Sequence, residues 1–125
     1  MITFDTGALI AVERRDRAML AFLTAALAAG SRITVPAVVV GEWWRGQRGP
    51  AARILDALHI EALGGPLAKL AGETLATVPG ATLVDAIVVA SAARRGDLVL
   101  TSDAADLSRI RDAAFPSVRI RQLET

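Results

Sequence analysis

Apolar and polar positions along the chain alternate between two periods, short apolar runs bounded by turn residues and longer stretches with apolar residues three and four apart. The first kind reads as buried strand, the second as helix. Met1 to Phe4 predicts a strand that ends at Asp5-Thr6-Gly7, where Asp and Thr are suited to cap a helix. From Asp16 to Ala29, Met19, Leu20, Phe22, Leu23 and Leu27 recur at helical spacing and Gly30 supplies a stop. Ile33 to Val35 is a second strand. Pro36 then opens a helix that carries Glu42, Trp43 and Trp44 until Gly46 and Gly49 break it. Pro50 to Leu58 resumes as helix, a short strand is expected at His59 to Ala62, Gly64-Gly65-Pro66 turns the chain, and Leu67 to Thr77 is helical.

Thr82 to Arg95 is apolar nearly all round, through Leu83, Val84, Ala86, Ile87, Val88, Val89, Ala90, Ala92 and Ala93, and so predicts a buried helix. Its single interior acid, Asp85, would be costly there without a partner. Asp97 to Thr101 forms a strand that enters Ser102-Asp103. A helix follows through Asp112, and a last strand lies at Val118 to Ile120. The order β-α-α-β-α-α-(β)-α-α-β-α-β predicts a single α/β domain over residues 1–125, with a mostly parallel sheet covered by helices on both faces.

Composition narrows the chemistry. The 125 residues contain no cysteine and one histidine, which removes disulfides, thiolate metal sites and any pair of imidazoles. Proton and metal chemistry falls to carboxylates. The mean hydropathy of +0.43 raises the question of a membrane. The longest uncharged stretch, Ala18 to Ser31, is shorter than the ~20 apolar residues that span a bilayer. The N-terminus places an acid at position 5 with no basic region ahead of it, so a cytoplasmic location without membrane association is expected. A net charge of +1 gives no overall pull toward nucleic acid, although 13 of the 14 basic residues are arginine and could form local patches.

Ligands of open parallel sheets bind outside the carboxyl ends of the strands. Asp5 and Asp103 fall there directly, and Glu42 and Asp85 are expected near the starts of the helices that follow. Four carboxylates meeting without a lysine or arginine partner suit Mg²⁺ or Mn²⁺ and phosphodiester hydrolysis. Each acid also has a structural role open to it. Asp5 and Asp103 could be helix N-caps, Thr82 and Asp85 have the spacing of a capping box, Glu42 could pair with Arg45, and Asp106 could partner a cap at Asp103. Independent caps do not require this ordered set.

The start Met1-Ile2-Thr3-Phe4-Asp5-Thr6, the segment from Val35-Pro36 to Glu42, the run Leu83 to Ala90 around Asp85, and Leu100-Thr101-Ser102-Asp103 together resemble a PIN domain. In particular they resemble the VapC-type toxins of bacterial toxin–antitoxin pairs. The likeness covers essentially the whole chain in the right order. It implies a PIN-like three-layer α/β/α fold and a Mg²⁺- or Mn²⁺-dependent endoribonuclease. By that resemblance Asp5, Glu42, Asp85 and Asp103 match the acidic metal-binding positions, Asp106 is an outer member of the set, and Thr101 matches a hydroxyl residue two places before the last acid. Leu107 stands near a position where many relatives place an aromatic. The resemblance further implies a homodimer, an RNA substrate and a small antitoxin laid across the active-site groove.

Other features are less specific. Arg45, Arg48 and Arg53, and likewise Arg14, Arg15 and Arg17, could hold RNA phosphates or simply be solvated. Trp43 and Trp44 could stack a base, or supply one core and one interface residue. His59 is read as structural. No GxxxxGK[ST] or GxGxxG motif occurs. A phosphotransfer receiver would place a lysine on a late strand, whereas the only lysine, Lys69, lies in a predicted helix. The remaining alternative is a non-catalytic protein-binding module of the same fold that keeps the acids as caps.

Overall fold

A computed structural model describes residues 1–123; the last two residues of the expected domain, 124–125, lie outside the described residues. The strands are β1 (Ile2–Phe4), β2 (Ile33–Pro36), β3 (His59–Glu61), β4 (Leu98–Thr101) and β5 (Arg119–Gln122). The helices are α1 (Thr6–Glu13), α2 (Arg17–Ala28), α3 (Ala37–Trp43), α4 (Gly65–Thr77), α5 (Leu83–Arg95) and α6 (Ala104–Ala114). The strands form one sheet in the order β3-β2-β1-β4-β5, and every pairing is parallel rather than mostly so. Helices flank the sheet, with α1 against β1 and β4, and α5 across β1, β2 and β4.

The cap foreseen at Asp5 forms: it accepts from Ala8 N at 2.8 Å and starts α1, and Asp16 likewise accepts from Met19 N at 2.9 Å and starts α2. Between them the chain turns at Arg15, whose φ of 57° is unusual for a residue with a side chain. α5 ends at Gly96, whose φ of 72° lets the chain turn into Asp97. Every residue from Ala86 to Ala92 is buried, as an all-round apolar helix requires, and Phe4, Val35, Val99 and Leu107 complete the core around it. Fully burying a side chain of this size contributes roughly 1.5–3 kcal/mol.

Two expectations need correction. Pro50 to Leu58 does not resume as α-helix: only a 3₁₀ segment forms, over Ala52–Ala57, in which no residue is fully buried and Ile54 and Leu55 are partly buried against the core. Glu42 does not sit at a helix start, because α3 is seven residues long and ends one residue later. His59 is an exposed residue of edge strand β3. No helix among the described residues is long and apolar enough to cross a membrane.

Candidate active site

β1 and β4 are neighbours, yet β2 follows β1 on its other side, so the sheet changes its direction of growth between them. Such a switch point opens a crevice at the carboxyl ends of the strands. Asp5 leaves β1 into this crevice and Asp103 leaves β4. Asp85 enters from the first turn of α5, Glu42 from the last turn of α3, and Asp106 from the first turn of α6. All five carboxylates line one cavity of about 180 Å³, together with Thr6, Gly7, Ser102 and Leu107.

No lysine or arginine is among the lining residues, and none of the five acids forms an ion pair among the described residues. Hydroxyls and backbone amides hold them instead. Asp5 Oδ2 accepts from Thr101 Oγ1 at 2.5 Å while its Oδ1 caps α1. Thr101 Oγ1 in turn accepts from Asp103 N at 3.0 Å, which ties the ends of β1 and β4 together. Thr6 Oγ1 donates to Glu42 Oε1. Thr82 Oγ1 accepts from Asp85 N at 3.2 Å, and Asp103 Oδ1 accepts from Ala105 N at 3.2 Å.

Burial pushes the Asp5 carboxyl up to about 6, against the hydrogen bonds from Thr101 and Ala8, and the charge of Asp85 adds to the rise. Burial also raises Asp85, opposed by Thr82 and reinforced by the charges of Asp106, Glu42 and Asp103. The acids therefore act on one another electrostatically. Their donors are all oxygens, the chemistry that hard divalent cations take. They are not closed into a cage: no three His, Cys, Asp or Glu side chains among the described residues are gathered as a metal site.

The capping roles and the shared cavity are thus both real, because one carboxylate has two oxygens. Arg45 does not pair with Glu42: its Nη1 donates to the carbonyls of Gly41 and Trp44. The tryptophans divide, Trp43 being 4% exposed and Trp44 41%. Thr6 and Ser102 are the lining residues that sequence reasoning passed over. The available signal was adjacency, Thr6 following Asp5 and Ser102 preceding Asp103. A larger cavity, about 540 Å³, opens elsewhere among Leu20, Leu23 and Ile54, with Arg15, Arg48 and Arg53 at its border and no cluster of acids.

A family model described as PIN domain matches residues 2–113. No curated protein matches the chain in sequence. Among solved structures, the chain is similar to Mycobacterium tuberculosis VapC20, described as a sarcin-ricin loop cleaving toxin. The identity is 24%, the TM-score 0.68, and the match covers 95% of this chain and 99% of that one. A chain of the Rickettsia felis VapBC2 complex, bound to a DNA fragment from its promoter, matches at 15% identity and a TM-score of 0.71, over 99% and 100% of the two chains. A chain of FitAcB from Neisseria gonorrhoeae matches at 17% identity and a TM-score of 0.69, over 96% of each.

Proposed function

Since the chain belongs to the PIN domain family, we propose that it is a divalent-metal-dependent endoribonuclease acting as the toxin of a toxin–antitoxin pair. The observation that carries this reading is the cavity at the switch point, lined by five carboxylates and no cationic side chain. Asp5, Glu42, Asp85 and Asp103 would hold Mg²⁺ or Mn²⁺, with Asp106 as an outer member of the set. When bound, the cation supplies charge neutralisation at the phosphoryl oxygens and lowers the pKa of a water.

The chain's own residues prepare the site for that. Thr101 fixes the Asp5 carboxylate and the Asp103 backbone in one arrangement, so two strand ends present their acids together. Thr6 fixes Glu42, which otherwise would swing freely at a helix end. Leu107, 1% exposed, closes the floor with an apolar surface and limits water there. Burial holds the Asp5 carboxyl up to about 6, so this acid gives up its proton less readily than a free carboxyl.

The toxin role draws on the description of VapC20 as a sarcin-ricin loop cleaving toxin, which favours a structured RNA as substrate class. A small antitoxin and a second copy of the chain are the expected partners, in the cytoplasm. Leu63, Leu83 and Trp44, each at least 40% exposed, are apolar surface that such partners would cover. The test is direct. The purified chain should hydrolyse a mixed-sequence RNA with Mg²⁺ or Mn²⁺ and stop on addition of EDTA; undiminished cleavage in EDTA overturns the reading.

A further inference from the structure

Ser102 lies between Thr101 and Asp103, and its hydroxyl takes no part in the contacts that hold the acids. A β-carbon built on Gly7 would stand 2.2 Å from Ser102 Oγ, 3.3 Å from Ser102 Cβ and 3.4 Å from Asp5 Oδ1. The first distance is far inside contact. Gly7 lies within α1 and needs no left-handed backbone, and alanine is a better helix former, so it is space that glycine provides here. That space is filled by the Ser102 hydroxyl.

The hydroxyl has a distinct place in the cavity's chemistry. Ionised carboxylates only accept hydrogen bonds. Of the two hydroxyl side chains lining the cavity, that of Thr6 is already given to Glu42. Ser102 Oγ donates to no group among the described residues and is exposed to the opening. It is the remaining side-chain donor that an anionic ligand meets there, and being neutral it adds nothing to the repulsion among the acids.

We infer that Ser102 donates a hydrogen bond to a non-bridging phosphoryl oxygen of the bound RNA strand, and that Gly7 is a positioning residue that leaves the serine room to do so. The inference rests on the ribonuclease reading above and names the contact that orients the phosphodiester within that site. The strand is held by this bond before and during reaction alike, so its loss raises KM rather than lowering kcat.

The experiment uses the full chain and a fluorescent mixed-sequence RNA, with cleavage kinetics in Mn²⁺ and melting curves with and without Mn²⁺. Ser102→Ala should raise KM about ten-fold, the loss expected for one hydrogen bond, with kcat within about two-fold of the parent. Its Mn²⁺-induced rise in melting temperature should equal the parent's. Gly7→Ala should lower the metal-free melting temperature by crowding Ser102. Gly7→Ala/Ser102→Gly should regain it, yet keep the raised KM. A Ser102→Ala variant with the parent's KM overturns the donor role, as does one that loses kcat or the Mn²⁺ response, since the serine would then act by arranging the acids. A parent with neither Mn²⁺ response nor cleavage overturns the ribonuclease reading itself.

Discussion

Asp97, just before β4, and Asp5, just after β1, are acids at opposite ends of adjacent strands with opposite surroundings. Asp97 is 3% exposed and accepts from Thr3 Oγ1 and from Arg95 Nε, both at 2.9 Å, and the Met1 amino group pairs with its other oxygen. Arg95 extends the network to Glu61, which also accepts from Ser91 Oγ at 2.6 Å. Burial alone would raise Asp97, but the amino group, Arg95 and Thr3 outweigh it and hold the carboxyl below its ordinary value. Asp5 and Asp85 have hydroxyls, amides and other acids around them, and both are raised. One end of the sheet neutralises its carboxylates internally; the other leaves them short of positive charge. Where the fold withholds a counter-charge from several converging acids, the charge is expected from outside.

The largest separation between the two ends should come from removing one acid at each. Asp5→Asn or Asp85→Asn should reduce RNA cleavage by at least ~100-fold while the chain still folds, measured as turnover alongside a melting curve. Asp97→Ala should do the reverse. It leaves Arg95 and the Met1 amino group without their shared partner, so stability should fall by about 3 kcal/mol in urea unfolding. Cleavage per folded molecule should persist. Loss of turnover without loss of stability at Asp97 would erase the distinction.

A smaller effect sharpens it. Two carboxylates ~5 Å apart repel by ~3 kcal/mol at an effective dielectric of 20, and neutralising one member relieves part of that. Asp103→Asn should leave the metal-free protein as stable as the parent or up to ~1 kcal/mol more so, because Asn caps α6 nearly as well as Asp. Its melting temperature should respond to Mn²⁺ much less than the parent's. Equal Mn²⁺ shifts would remove Asp103 from the site and leave it a cap.

The smallest effect is the pH response, which has opposite signs at the two ends. The folded-state value of Asp5, about 6, lies above the ordinary 3.8, so its contribution is present at low pH and is lost as pH rises through 6. Asp97 is lowered, so its contribution is present above the ordinary value and is lost as pH falls through the lower folded one. Metal-free parent should therefore gain stability, on the order of 1 kcal/mol after solvent screening, between pH 7 and pH 5. It should lose stability below about pH 4. Asp5→Asn should flatten the first limb only, and a parent with no gain toward pH 5 would contradict the burial of Asp5.

β1, β2 and β4 were readable because each is a short, buried, mostly apolar run, and the positions of Asp5 and Asp103 followed from where β1 and β4 stop at a capping residue. α5 was readable because an apolar surface all round has only one place to go. What escaped was set by tertiary contact. The Arg95 network joins residues 3, 61, 91 and 97, which no spacing relates. α3 packs against α1, and the segment at 52–57 buries none of its residues fully, contacts that no local spacing announces. The meeting of Gly7 with Ser102 is likewise a matter of space between two strand ends. The acids were legible as a set, and Thr101 and Thr82 with them, while the part of Thr6 in holding Glu42 was not, since threonine and serine beside a cap are common in any fold.

The carboxyl-end cavity is expected to take up a divalent cation through its acids. Free Mn²⁺ has a sharp paramagnetic resonance signal that is lost on binding, so titrating Mn²⁺ into the chain at pH 7.5 reads uptake without reference to any substrate. The parent should deplete the signal, and Asp5→Asn/Asp85→Asn at equal concentration should leave Mn²⁺ free. A parent that leaves Mn²⁺ free, or a double variant that binds it as the parent does, would contradict the account.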